Sequence, residues 1–258
     1  MGAVSVMGIV NVTPDSFSGD GLTDHRAAVA RGLAMAQAGA QIVDVGGEST
    51  RPGHSPVTAR EEIKRAVPVV GALAREGLTV SIDTSKLEVA RAAADAGATI
   101  VNDIWGLQRA PGIATLAAER GLHLVLMHNQ EGTGYPGDMV AAVRDGLAES
   151  LRRAVSAGVP QERVILDPGI GFGKTAEQNL IVLRRLDELR TLGCPILVGP
   201  SRKSFLGKLF GQEMAMRVWG TAAAVTAAIL RGADIVRVHD VPEMLAVARV
   251  AEALRVER

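Results

Sequence analysis

VILDPGIGFGKT, residues 164–175, passes from a strand pattern through a loop pattern to a helix pattern. Its first residues, 164–166, form a short apolar run typical of a buried parallel strand. The run ends on Asp167, and a proline and three glycines separate this acid from Lys174 and Thr175, which open a stretch with helical periodicity. An unpaired buried carboxylate is costly, and glycine allows a backbone to approach a ligand closely. The stretch therefore predicts a strand, a ligand-contacting loop and a helix.

The ending GFGKT resembles a phosphate-binding P-loop, but the spacing excludes one. The motif G-x-x-x-x-G-K-[ST] requires glycine at position 168, and this residue is proline. We therefore expect Lys174 and Thr175 to be an ordinary helix start with no phosphate to bind.

The same strand-to-helix succession occurs eight times along the chain. Several predicted helices end at a glycine in the position of a left-handed cap. Strict alternation predicts one (β/α)8 TIM barrel domain, residues 1–258, with long loops after strands 1 and 2. A doubly wound sheet is the alternative, although it usually has fewer units or a second domain. The predicted strands are 3–10, 41–45, 79–82, 99–101, 123–127, 164–166, 195–198 and 235–238, and the helices 24–38, 58–75, 86–96, 111–120, 138–157, 175–191, 203–231 and 241–255.

The composition narrows the class of protein. Of 258 residues, 47% are hydrophobic, and 28 basic residues balance 28 acidic ones. This balance gives no general reason to expect a nucleic acid or an anionic membrane as partner. No apolar run approaches the length of a membrane span, and the first residues do not resemble a signal peptide. Cys194 is the single cysteine, so an internal disulfide is impossible and a cytoplasmic location is favoured.

Polar residues follow the predicted strands, while the loops after helices are short and plain. In a barrel, the carboxyl ends of the strands carry the chemistry. Asp83, Asn102 and Asp167 end strands three, four and six, and Lys203 follows strand seven. Capping of the next helix or tying down of the loop is the alternative for any one of them. Together they suit a flat heterocycle, because a carboxylate accepts two parallel hydrogen bonds from a guanidine-like edge.

A second group suggests an anion site. Arg237 and His239 lie two residues apart at a strand end and so point the same way, and Arg51 joins them as a cation. Such residues suit a phosphate, although Arg237 paired with Asp240 is the structural alternative. Asn11 and Asp15 have hard oxygen ligands that suit Mg²⁺, but a proline-containing turn explains them better from sequence alone.

Seven motifs, taken in order, resemble the dihydropteroate synthase family, and they extend over nearly the whole chain. No single motif is specific, but their combination and order are. They are MGIVNVTPDSFS at 7–18, DVGGESTRPG at 44–53, SIDTSK at 81–86, VNDIWG at 101–106, LDPGIGFGK at 166–174, GPSRKSFLG at 199–207 and RVHDV at 237–241.

The resemblance implies a TIM barrel transferase of folate biosynthesis. It would condense 6-hydroxymethyl-7,8-dihydropterin diphosphate with 4-aminobenzoate to give 7,8-dihydropteroate and diphosphate, and it would be a sulfonamide target. The catalytic residues would be Lys203, Arg237 and His239, and Asn11 would hold Mg²⁺. The pterin would contact Asp83, Asn102, Asp167 and Lys203; the diphosphate Thr50, Arg51, Arg237, Val238 and His239; and the aminobenzoate Phe17, Thr50, Arg51, Pro52, Phe172, Lys203 and Ser204.

The resemblance also implies a homodimer formed through late helices, for which residues 214–230 are a candidate surface. Two loops depart from the common pattern, LMHNQEGT after strand five and SFSGDGL after strand one. A pterin-binding methyltransferase would share the heterocycle group but would have no use for Phe17, Arg51 or the SRKS segment. A catalytically silent paralogue is the alternative from a different class.

Overall fold

The structure, a computed structural model, describes residues 3–13, 24–49, 56–210 and 217–255. In these ranges strands and helices alternate from β1 to α9. The strands are β1 Ser5–Asn11, β2 Ile42–Gly46, β3 Val80–Asp83, β4 Ile100–Asp103, β5 His123–Met127, β6 Val164–Asp167, β7 Leu197–Val198 and β8 Ile235–Val238. The α-helices are α1 His25–Gln37, α2 Ala59–Arg75, α3 Leu87–Asp95, α4 Gly112–Arg120, α5 Met139–Ser156, α6 Ala176–Arg184, α7 Ser204–Phe210, α8 Arg217–Leu230 and α9 Val241–Ala253.

All strand pairs are parallel, and their order is β6-β5-β4-β3-β2-β1-β8-β7. A parallel bridge between Leu166 and Ile196 joins β6 to the chain entering β7 and closes the sheet on itself. The amide of Leu166 also donates to the carbonyl of Pro195 at 2.9 Å. The predicted (β/α)8 barrel is confirmed, and the doubly wound alternative is wrong.

The period-2 alternation of side chains along the strands produces two separate cores. Alternate strand residues point outward and pack under the helices, as Val10, Val45 and Val238 do. The other set fills the barrel interior as its own cluster, formed by Met7, Ile42, Ile100, Val125, Ile165, Leu197 and Ile235.

Two residues further along these strands, the inward-facing set changes from apolar to polar. Ile42 is followed in this way by Asp44, Ile100 by Asn102, Ile165 by Asp167 and Ile235 by Arg237. An apolar plug therefore supports a polar layer at the carboxyl ends of the strands, where barrels place their sites.

The helix ends agree with the sequence in most places. The predicted cap glycines have positive φ, for example 62° at Gly121 and 70° at Gly193. The predicted helix 175–191 is instead α6 followed by a 3₁₀ segment, Leu186–Leu192, because Arg185 leaves helical geometry and its guanidinium binds Asp138 and Glu188.

The predicted helix 203–231 is two helices, α7 and α8, on either side of residues 211–216, which lie outside the described ranges. Among the helices that the structure describes, none combines the length and apolarity needed to cross a membrane.

Candidate active site

A pocket opens at the carboxyl ends of the strands. Its walls come from the ends of β3 to β8 and the loops that follow them. The lining residues are Asp83, Asn102, Ile104, Met127, Asp167, Ile170, Phe172, Gly199, Lys203 and Arg237.

The structure brings all four residues of the predicted heterocycle group to this pocket. Asp83 and Asn102 are register partners on β3 and β4, Asp167 ends β6, and Lys203 precedes α7. The two acids and the amide are at most 9% exposed. Oδ1 of Asp83 is buried with no hydrogen-bond partner among the described residues, so an acceptor is left for a ligand. The helices that follow are capped at Lys86 and Thr175, so these side chains do not serve as caps. Asp167 does tie down its loop, because its Oδ1 accepts the Gly169 amide, and it also lines the pocket.

Arg237 lies between two carboxylates. Its Nε donates to Oδ2 of Asp44 at 2.6 Å, and its Nη2 donates to Oδ2 of Asp83 at 2.6 Å. Nδ2 of Asn102 donates to the same Asp44 oxygen at 3.2 Å. Burial lowers the pKa of Arg237, but the charges of Asp44 and Asp83 outweigh burial and raise it. The guanidinium is therefore a fixed positive charge at the pocket floor.

Asp44 is the residue that the sequence reasoning did not select. It is fully buried in β2, and it connects Arg237 to Asn102. The available signal was an acid inside an otherwise apolar strand. Arg237 does pair with acids, as the structural alternative expected, but its partners are Asp44 and Asp83. Asp240 pairs with Arg202 instead, whose Nε lies 2.9 Å from its Oδ2.

Burial and neighbouring charge shift the titration of the pocket groups. Burial raises the pKa of Asp83 to about 7, a rise that Arg237 opposes and Asp44 increases. Burial also raises the pKa of Asp167, against the Gly169 amide and the charge of Lys203. The pKa of Lys203 falls to about 8 through burial and Arg237, while Asp167 and Asp83 oppose the fall. Groups that titrate near neutrality in a cleft are typical of functional sites.

His239 follows β8 and contacts Ser201 from the loop after β7. Its Nδ1 is 2.9 Å from Oγ of Ser201, and the same hydroxyl accepts the backbone amide of His239 at 3.1 Å. Burial and the charge of Arg237 lower the pKa of His239 to about 3, so the imidazole is neutral near pH 7. The side chain of Val238 between them is fully buried in the outer core, so only its backbone is available to a ligand.

The glycine-rich loop after β6 is tightly fitted. The Gly169 amide donates to Oδ1 of Asp167 at 2.7 Å. Gly169 has φ of 72°, and a Cβ there would lie 2.0 Å from the His128 carbonyl oxygen, so no larger residue fits. Nζ of Lys203 lies 3.8 Å from the Phe172 ring centroid, a cation–π geometry.

The end of this loop differs in part from expectation. Thr175 begins α6 with a capping box, in which its side chain and that of Gln178 each accept the other's backbone amide. Lys174 is not an ordinary surface residue of a helix start, since it is 9% exposed and its ammonium points into the protein. No periodic pattern in the sequence indicates this burial.

Asn11 is the predicted metal ligand. It ends β1, and its Oδ1 faces the space beside Gly46, where a Cβ would lie 3.8 Å from it and 3.9 Å from Oδ2 of Asp83. These oxygen donors fit a hard cation such as Mg²⁺. No cluster of three or more His, Cys, Asp or Glu side chains that could hold a metal occurs within the described ranges.

Several predicted ligand residues lie outside the described residues. They are Phe17, Thr50, Arg51 and Pro52, together with Asp15. Ser204 is described and is the exposed first residue of α7, next to Lys203.

Comparisons with known proteins agree with this geometry. The pterin binding enzyme family matches residues 7–239. The dihydropteroate synthases of Synechocystis sp. and Escherichia coli K12 are 48% and 46% identical to this chain. Each match covers 96% of this chain, and it covers 89% of the Synechocystis protein and 90% of the Escherichia coli protein. A crystal structure of dihydropteroate synthase from Clostridium difficile, in the presence of pteroic acid, has a TM-score of 0.95 at 46% identity and covers 99% of this chain and 98% of its own.

A second structure, of dihydropteroate synthase from Xanthomonas albilineans with 4-aminobenzoic acid, has a TM-score of 0.93 at 44% identity, covering 99% of this chain and 94% of its own. The matches extend over nearly the full length of both partners. The chain therefore belongs to the pterin-binding enzyme family and, within it, to the dihydropteroate synthases.

Proposed function

We propose that this protein condenses 6-hydroxymethyl-7,8-dihydropterin diphosphate with 4-aminobenzoate, forming 7,8-dihydropteroate and diphosphate for folate biosynthesis. The observation that carries the proposal is the polar layer above the apolar plug. Two carboxylates, a carboxamide and two cations converge there on one pocket. The whole chain, residues 1–258, acts as one domain in this proposal.

The pterin binds through its guanidine-like edge. Asp167 and Asp83 supply carboxylate acceptors, and the unpartnered Oδ1 of Asp83 is ready to accept a ring N–H. Asn102 donates or accepts beside them, and Lys203 serves a carbonyl or ring nitrogen. Buried polar ligand groups need such partners, because each unpaired one costs about 1–3 kcal/mol.

The leaving diphosphate binds beside Arg237 and His239, with Thr50 and Arg51 from the second loop. Arg237 contributes charge, while the neutral His239 contributes a hydrogen bond, because its pKa lies far below neutrality. Asn11 would hold Mg²⁺ together with the substrate phosphates, and a bound Mg²⁺ would supply positive charge beside the leaving group. The backbone of Val238 is the part of that residue available to the phosphate, since its side chain is in the outer core.

The reaction is a displacement at the exocyclic methylene carbon. The carbon–oxygen bond to diphosphate breaks, and Arg237 and His239 stabilise the charge that develops on the leaving oxygens. The electron-rich ring supports the methylene cation that remains. The arylamine nitrogen then forms the new carbon–nitrogen bond and releases one proton. No protein nucleophile takes part in this proposal.

The aminobenzoate lies against the Phe172 ring, with Lys203 and Ser204 towards its carboxylate. The ammonium of Lys203 already stacks on Phe172, so this residue borders both substrates. Phe17, Arg51 and Pro52, which lie outside the described residues, complete the site in this proposal. Sulfonamides would compete for the same place.

The enzyme acts as a homodimer through α8 and α9, which pack against each other. Large apolar side chains of these helices are exposed, with Trp219 at 67% and Val250 at 62%. Exposed apolar surface of this kind marks interaction sites. The proposed location is the cytoplasm, because the single cysteine, Cys194, is a free thiol.

One assay tests the function. Purified protein is given the pterin diphosphate, 4-aminobenzoate and Mg²⁺, and both dihydropteroate and diphosphate are measured. We expect equal amounts of the two products, and no dihydropteroate when either substrate is omitted or the metal is chelated. Absence of dihydropteroate in the complete mixture would overturn the proposal.

A further inference from the structure

We propose that Lys174 is a positioning residue, whose ammonium fixes the glycine-rich loop 169–173 and thereby holds Asp167 and Phe172 in place for the two substrates. The inference rests on the proposed function for its kinetic test. It concerns a residue that takes no part in the chemistry described above, because the ammonium points away from the pocket into the loop itself.

The contacts of Lys174 match its chemistry. Its Nζ donates to the carbonyl oxygens of Gly169 and Phe172, both at 3.1 Å, and lies 3.3 Å from Nδ1 of His128. An ammonium has three hydrogens and no acceptor, so these acceptors use its full capacity. Two acceptors belong to the loop after β6 and one to the loop after β5. The side chain therefore joins two active-site loops.

The loop lies between two lysines. Lys174 binds it from the protein side, and Lys203 packs on its pocket side, where a Cβ at Gly171 would be 2.8 Å from Cδ of Lys203. The ring of Phe172 is 3.8 Å from Nζ of Lys203. Because the Phe172 carbonyl is held by Lys174 and its ring by Lys203, the position of the ring depends on both.

Other contacts make the loop close-packed. If the Lys174 ammonium is removed, water can therefore replace its hydrogen bonds only at a cost in free energy. The Gly171 amide donates to Oδ1 of Asn179 at 2.6 Å, and the Tyr135 hydroxyl donates to the Gly173 carbonyl at 3.1 Å. The carbonyls of Gly169 and Phe172 face inward, where buried backbone acceptors need a donor. An apolar residue at 174 would remove one donor from each, although the Phe172 amide would still donate to the Gly169 carbonyl at 3.1 Å.

The same groups give the loop a dependence on pH. Burial lowers the pKa of Lys174 to about 7; Asp167 opposes this fall and Lys203 adds to it. Burial and Lys174 lower the pKa of His128 to about 4, so His128 stays neutral and accepts at Nδ1. The ring centroid of Tyr135 lies 6.0 Å from Nζ of Lys174. Above pH 7 the neutral amine keeps only two hydrogens, so one of the three contacts is lost and the loop loosens.

The test compares Lys174→Met with the wild-type protein and with Lys64→Met, the same substitution at an exposed lysine of α2. We expect Lys174→Met to raise KM for 4-aminobenzoate by roughly 10- to 100-fold, with a smaller change in kcat. This factor corresponds to the loss of one charged hydrogen bond. Wild-type KM should rise as the pH passes through about 7. In Lys174→Met this step should be absent, whereas Lys64→Met should keep it. Other pocket groups titrate nearby, so the difference between the two lysine variants isolates Lys174.

Hydrogen exchange of the 169–173 amides gives a second readout that needs no enzyme activity. We expect faster exchange in Lys174→Met than in Lys64→Met. Unchanged exchange together with unchanged KM and pH profile would overturn the inference, as would a fall in kcat with KM unchanged. A wild-type protein without activity would overturn the proposed function, while the exchange comparison would still decide this inference.

A second variant covers the case in which Lys174→Met does not fold. Tyr135→Phe removes the hydroxyl that holds Gly173 from the other loop. We expect a smaller rise in KM in the same direction and faster exchange of the 169–173 amides. If Tyr135→Phe behaves as wild type in both measurements, the loop does not position the substrates and the inference fails.

Discussion

Replacing Asp44 by asparagine should show how the pocket floor is held together. The change keeps size and shape but removes one of the two carboxylates that hold Arg237. Asp44 is fully buried and Arg237 is 16% exposed, so water cannot replace the lost charge. We expect the variant to fold with lower stability and with Arg237 held by Asp83 alone.

The magnitude follows from the contacts. Removing one partner of a buried ion pair costs about 3–5 kcal/mol when nothing replaces it. In this case an amide oxygen remains as acceptor at Nε, and Asp83 remains as a second partner at 2.6 Å. A charged hydrogen bond exceeds a neutral one by about 1–2 kcal/mol, so we expect a loss of about 2–4 kcal/mol in the free energy of unfolding. For a chain of this size the melting temperature should fall by roughly 4–16 °C.

A double-mutant cycle with Arg237→Met gives the decisive measurement. Without the guanidinium, Asp44 is a buried carboxylate with no cation beside it, which is costly. In that background Asp44→Asn should stabilise the protein by about 1 kcal/mol or more, reversing its sign. Urea unfolding of the four proteins then gives a coupling energy of about 3 kcal/mol or more.

The exposed pair of Asp95 and Arg120 provides the matched control. Its atoms are 2.9 Å apart, but the side chains are 53% and 46% exposed. The same cycle with Asp95→Asn and Arg120→Met should give a coupling of about 0–1 kcal/mol. If the Asp44 and Arg237 effects were additive, the account of the pocket floor would be refuted.

Three further outcomes are expected. Asp167→Asn should weaken pterin binding by roughly 2–5 kcal/mol in calorimetry, because a carboxylate that accepts from the ligand becomes half donor. Lys203→Ala should raise KM for both substrates, since its ammonium lines the pocket and stacks on Phe172 at 3.8 Å. His239, with a pKa near 3 against 6.5 in the unfolded chain, should contribute no step to the activity profile near pH 6.5. Its native state binds fewer protons than the unfolded state, so this contribution to stability is lost as pH falls from 6.5 towards 3.

Each of these outcomes has a result that contradicts it. Unchanged pterin affinity would remove Asp167 from the pocket. A Lys203→Ala enzyme with normal KM for both substrates would exclude its shared position. An NMR titration of the His239 ring with a midpoint near 6.5 would show that the imidazole is not desolvated by its neighbours.

Much of the fold was predictable because barrel units repeat a simple pattern. Apolar strands, glycine caps and polar strand ends gave the eight units and their order. The convergence of Asp83, Asn102, Asp167, Lys203 and Arg237 followed from parallel strands, whose carboxyl ends meet at one rim. None of this needs side-chain geometry.

Other features depend on register and tertiary contacts. Asp44 is identified only when its inward position beside Ser81 is known. The burial of Lys174 depends on two inward carbonyls of the preceding loop, which leave no periodic trace. Arg185 ends α6 through contacts with distant acids, so the sequence pattern continued past the true helix end.

Among the described residues, the pairing of neighbouring strands is shortest between β6 and β7. β7 has two residues and pairs with β8 through Leu197 and Val198, and one bridge at Leu166 joins it to β6. Local opening needs the least free energy where hydrogen bonds are fewest. Asp167 ends β6, and Lys203 follows β7. A ligand that binds both residues therefore adds a connection between these two strands. Substrate binding should therefore stabilise the pairing of β6 with β7. Compounds that contact both strands should gain affinity, because they stabilise the closed barrel.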